Sequence, residues 1–145
     1  MRVLAIMVML LVASSSIAAT DSTLTALAAQ YQTLWARQKA LPQGEFDKEL
    51  RGSGGQLEKV LTELGQRLGK SKYTEQDIVR IMGEPDARKT AGEFLPPSID
   101  HRAPRGVIEK DKTILIYFWR GWHDYLFFVS QRGKITGAYW YLAGE

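Results

Sequence analysis

The sequence predicts an α+β fold in which N-terminal helices pack on a three-stranded antiparallel β-meander. Apolar residues recur every three or four positions through the first half of the chain, the period of helices that bury one face. From Thr113 onward, β-branched and aromatic residues take over in three runs joined by short turns. The length of 145 residues, with 45% hydrophobic and 24% charged residues, suits one domain with a single core.

The first segment reads as an address and not as part of the fold. Arg2 precedes the apolar run Val3 to Ala13, and "SSSIAAT" then supplies the small residues that signal peptidase accepts. The expectation is a cleaved export signal over residues 1–19, cut after Ala18 or Ala19. The apolar run covers about 11 residues, against about 20 for a membrane-spanning helix, so no stable span is expected after cleavage. Removing Arg2 lowers the formal charge from +3 to +2, too little to suggest a nucleic-acid partner. Cysteine is absent, which excludes disulfides, thiolate metal sites and a cysteine nucleophile.

Residues 20–55 read as an N-terminal helical extension. Leu24, Leu27, Ala28, Tyr31, Leu34, Trp35 and Leu41 mark one face of a helix from Ser22 to Leu41, capped by Asp21 or Ser22 and stopped at Pro42 and Gly44. Phe46, Leu50, Leu57, Leu61, Leu64 and Leu68 continue the helical spacing, but Gly52, Gly54 and Gly55 should split it into a short and a longer piece. "GSGG" lacks the closing lysine and hydroxyl residue of a phosphate loop.

Residues 56–145 read as the α+β domain. In "YTEQDIVRIMGEPD", residues 73–86, Thr74 and Asp77 fit a capping box, and Tyr73 with Ile78 fits a hydrophobic staple. Gly83 offers a left-handed stop and Pro85 cannot continue the helix. From Ala87 to Asp111 no period persists, and a loop stiffened by Pro96, Pro97 and Pro104 is expected. Long loops in small domains often carry contacts, which nominates Pro97, His101 and Arg102.

The strand runs are Thr113 to Trp119, Tyr125 to Ser130 and Lys134 to Leu142, joined by "RGWHD" and by "QRG", the latter expected to form a bulged turn at Gly133. Alternation puts Ile114, Ile116 and Phe118 opposite Leu115, Tyr117 and Trp119. It groups Tyr125, Phe127 and Val129 against Leu126 and Phe128, and Ile135, Tyr139 and Tyr141 against Ala138, Trp140 and Leu142. Both faces therefore need a cover. Either helices and loop close both, or part of the set Tyr117, Trp119, Trp122 and Tyr139, with His123 beside it, stays accessible as a protein-binding surface.

The chemistry-bearing residues do not form a pattern. Asp100 and His101 are adjacent in the loop, and His123 and Asp124 in the hairpin, but only the fold could bring the two pairs together as a hydrolytic or metal site. No serine sits in a nucleophile elbow. The expectation is no catalytic residue, metal or cofactor, with a small exported hydrolase or metal protein and an apolar-ligand carrier as alternatives.

The succession "LGKSKYTEQDIVRIMGEPD", a variable loop, "IYFW", a hairpin and "FFVSQRGKI" resembles the SmpA/OmlA, or BamE-like, family of small bacterial envelope proteins. That family is similar in fold to the repeats of β-lactamase inhibitor proteins. The matching positions are Thr74, Val79, Gly83, Pro85, Asp86, Tyr117, Phe128 and Gly133, within roughly residues 57–142. The resemblance implies a non-enzymatic scaffold or protein-binding module, periplasmic or secreted, with another envelope or secreted protein as partner. The chain departs from the outer-membrane members in lacking their lipidated cysteine and in carrying the helix from Ser22 to Leu41.

Overall fold

The computed structural model of the protein describes residues 21–94 and 111–143. It is an α+β fold. In chain order the elements are α1 (Ser22–Ala40), α2 (Lys48–Arg51), α3 (Gln56–Leu68), α4 (Glu75–Met82), β1 (Ala87–Thr90), α5 (Ala91–Phe94), β2 (Thr113–Phe118), β3 (Asp124–Gln131) and β4 (Lys134–Leu142). The export signal expected over residues 1–19 lies outside the described residues.

Local chemistry sets each helix boundary. The Asp21 carboxylate accepts the Thr23 N–H at 3.0 Å and opens α1, while Leu41, next to Pro42, is already extended. Asp47 plays the same part for α2, accepting the Leu50 N–H at 3.0 Å, and also pairs with Arg37 of α1. Because the cap is at Asp47, Phe46 falls before the helix and is exposed. The helical face expected to include Phe46 starts only at Leu50. The glycines at 52–55 do divide the helical run, and Gly54 takes a positive φ of 72°.

α3 lays Leu57, Val60, Leu61, Leu64 and Leu68 on the sheet. Its glycines fix how close it comes. A β-carbon on Gly65 would lie 2.8 Å from Leu126 Cδ1, and one on Gly69 would lie 2.9 Å from the backbone nitrogen of Ala138. Glycine costs a helix interior about 1 kcal/mol relative to alanine; at Gly65 it admits Leu126 of β3, and at the C-cap Gly69 it admits Ala138 of β4.

The capping box of α4 is complete: Asp77 N–H donates to Thr74 Oγ1 at 3.2 Å, and Thr74 N–H donates to Asp77 Oδ2 at 2.9 Å. Gly83 closes the helix with φ 89° and ψ −179°. The φ is positive, as expected, but the extended ψ takes Gly83 out of the left-handed helical region into one only glycine favours. The Tyr117 hydroxyl donates to the Gly83 carbonyl at 2.9 Å, and the Phe118 N–H donates to the Asp86 carboxylate at 2.8 Å. The corner is thereby fastened to β2.

The sheet has four strands in the order β1-β2-β3-β4, all antiparallel. The additional strand, β1, lies where the sequence reads as loop. Its four residues, Ala-Arg-Lys-Thr, are mostly exposed on an edge and show no alternation to detect. The β3–β4 connection also differs from expectation. Arg132 and Gly133 both have positive φ, 51° and 77°, the signature of a two-residue turn. The bulge lies deeper, where the register shifts at Val129/Ser130. It flips Ile135 onto the helix side, whereas Tyr139 stays on the other.

Two cores result. Leu115, Tyr117, Trp119, Leu126, Phe128 and Ile135 pack with α1, α2, α3 and α4. Ile114, Ile116, Tyr125, Phe127 and Val129 are buried on the second face together with Ala91 of α5. α1 belongs to the first core, tied to α4 by Gln32 Nε2 donating to the Ile81 carbonyl at 3.4 Å.

Candidate functional site

The turn from Trp119 to His123, between β2 and β3, is organised around one buried carboxylate. Asp124 is 1% exposed. Its carbonyl accepts the N–H groups of Trp119 and Arg120 at 3.0 and 2.9 Å, closing the turn. Its Oδ2 takes Arg120 Nε at 2.5 Å and meets His123 Nδ1 at 2.8 Å, while Oδ1 accepts the Ala143 N–H at 3.2 Å. Gly121 supplies the positive φ, 65°, that lets so short a connection reverse. A buried carboxylate with this many donors is satisfied, and losing a donor would leave a buried acceptor poorly paired.

Around this hub the two faces part. On the helix side the Arg120 guanidinium lies 4.3 Å from the centre of the buried Trp119 ring, which meets Trp140 edge-on at 5.9 Å. On the second face Trp122 packs edge-on against Phe118 at 4.8 Å and Tyr125 at 6.0 Å, and Tyr125 stacks on Tyr141 at 4.9 Å. Burial pushes the Tyr125 hydroxyl well above the ordinary phenol range. Trp122 is held by rings and is still 52% exposed.

The other large apolar side chains exposed among the described residues are Phe46 and Leu142. Leu142 lies across from Asp124 in the strand register, so it shares this end of the sheet. Phe46 sits 5.9 Å from the Arg51 guanidinium. Burial first, then the charge of Arg120, lowers the Arg51 pKa, which places α2 within electrostatic reach of the same end.

The expected binding set is thus divided. Tyr117 and Trp119, expected to be candidates for an accessible surface, are buried at 0% and 2% in the helix-side core. Tyr139 is half-buried on the second face, 5.7 Å from Phe127. Trp122 and His123 are exposed at the turn. Pro97, His101 and Arg102 lie outside the described residues, as does Asp100. Phe46, Arg51, Arg120 and Leu142 were not singled out from sequence. The spacing of Arg120 and Asp124 around a Gly-Trp turn was the one available signal.

The His123–Asp124 contact has the form of a base and its orienting carboxylate. Asp124, however, is already shared with Arg120, and Ser130 lies at the far end of β3 with its hydroxyl donated to Glu75. Among the described residues no group of three or more metal-ligating side chains comes together, and no helix is long and apolar enough to cross a membrane. A groove of about 560 Å³ along α3 is lined by charged and polar side chains, including Glu58, Lys59, Glu63 and Arg67. No protein-family model, curated protein or solved structure matches the chain.

Proposed function

We propose that the protein is a non-enzymatic, exported module that binds another protein of the bacterial envelope or a secreted one, using the β2–β3 turn as its contact surface. The observation that carries this reading is Trp122, 52% exposed yet fixed between Phe118 and Tyr125. A rigid aromatic anchor loses little entropy when it enters a partner's pocket, which is why such residues dominate interface energetics. His123 and Arg120 supply polar and cationic groups beside it. The resemblance to the SmpA/OmlA family and the signal-like N-terminus support export and the absence of catalysis.

The test is quantitative affinity purification from the native envelope fraction, comparing the wild-type protein with Trp122→Ala and Phe46→Ala variants. A bound protein enriched by the wild type should be depleted about tenfold or more by Trp122→Ala, as the loss of a central aromatic anchor implies. An unchanged set of bound proteins with both variants would remove the turn as the contact surface.

A further inference from the structure

The two edges of the sheet are built differently. β1 is four residues long and exposes Arg88 and Lys89, and short charged edges discourage the addition of another strand. β4 is nine residues long. Its beginning is closed by the chain itself: the Ile135 N–H donates to the Tyr73 carbonyl at 2.9 Å, and Thr74 bridges Lys134. Beyond that closure it reads Gly-Ala-Tyr-Trp-Tyr-Leu from 137 to 142, with neither charge nor proline. Tyr139, Trp140 and Tyr141 are half-buried and Leu142 is 39% exposed.

The direction of the main-chain groups follows from the register. The Ala143 N–H donates to the His123 carbonyl at 3.1 Å, so beyond the bulge the odd-numbered residues bond to β3. The N–H and C=O groups of Ala138, Trp140 and Leu142 therefore point away from the sheet, and among the described residues no strand pairs with them. Unpaired strand edges recruit strands, because each added residue satisfies a donor and an acceptor together.

We propose that this edge joins a second copy of the chain, β4 against β4 in antiparallel register about a two-fold axis. The segment is its own complement. With the axis at Trp140, the two Trp140 side chains meet on the helix side, and each Tyr139 lies across from a Tyr141 on the second face. Every opposed pair then lies on the same face, and the row of ring contacts from Phe118 through Tyr125 to Tyr141 runs on into the second copy. A foreign strand could use the same main-chain groups, but the strand's own reverse already matches it in length, neutrality and alternation. The inference does not depend on the turn surface binding a partner.

Sedimentation velocity on the purified protein, from low to high micromolar concentration, should show a monomer–dimer equilibrium. Leu142→Pro removes an outward N–H that β3 does not use, and Leu142→Lys adds a charge to the edge. Each should weaken association about tenfold or more, the effect of roughly 1.4 kcal/mol, with an unchanged circular-dichroism spectrum. Amide hydrogen exchange locates the contact: the Trp140 and Leu142 amides should be protected in the wild type and lose protection in Leu142→Lys. A monomer at every concentration overturns the proposal. So does a dimer that both variants leave intact, or one in which these two amides exchange freely.

Discussion

At the Arg132–Gly133 turn between β3 and β4, the start of α4 braces the hairpin by hydrogen bonds while Arg132 and Gly133 stay exposed. The Glu75 N–H donates to the Gly133 carbonyl at 3.0 Å, Ser130 donates to the Glu75 carboxylate, and the capping box of α4 stands directly behind. At the other end of β3, the turn from Trp119 to His123 is closed by Asp124, and Trp122 packs on Phe118 and Tyr125 with about half of its surface exposed. One hairpin end is thus held by neighbouring segments. The other is closed mainly by Asp124, and it presents an apolar ring at the surface.

That contrast can be broken at several points. Asp124→Ala should be the most damaging, costing about 3 kcal/mol, because it strips the carboxylate from a buried pair and leaves Arg120 without it. Urea denaturation measures this, and a cost below about 1 kcal/mol would mean that the turn holds without its hub. At the braced end, Thr74→Ala should cost about 1 kcal/mol through the lost cap.

The same cap predicts an acid dependence. The Thr74 backbone hydrogen bond holds the Asp77 carboxyl below its ordinary range. A carboxyl depressed in the folded state contributes stability above its unfolded pKa, near 3.9, and loses it as the pH falls through the lower folded value. Asp77→Asn should therefore flatten the acid side of the stability curve below about pH 4. Asp86 works in reverse: burial raises its pKa, so its protonation favours the folded state. It should remain as an opposing slope in the Asp77→Asn variant.

Smaller effects sharpen the comparison further. Arg132 holds a positive φ of 51°, which asparagine tolerates better. Arg132→Asn should raise stability by about 0.5 kcal/mol, seen as a higher midpoint in thermal denaturation. Trp122→Ala should alter stability least, within about 0.5 kcal/mol, since half of its surface already faces water. A large loss would show that the exposed ring is part of the core and recast the turn as structural.

Features decided within a few residues were legible in the sequence: the split at the 52–55 glycines, the Thr74–Asp77 box and the bounds of β4. Features decided by tertiary context were not. Alternation shows that Tyr117 and Trp119 share a face, but it cannot say that α1 and α3 cover it. β1 is held by pairing with β2, not by any pattern in Ala-Arg-Lys-Thr. One unforeseen bulge was enough to turn Ile135 to the opposite face from Tyr139. At the candidate site, exposure of Trp122 was readable from its place in a short turn. The role of Asp124 needed three chain segments in position at once.

The strand order β1-β2-β3-β4 repeats the order of the chain, and this bears on how the molecule is made. Every pairing is between consecutive strands, two of them joined by tight turns, so the β2–β4 hairpins can close on the microsecond scale of local hairpins. With no cysteine in the chain, none of these pairings waits on a disulfide.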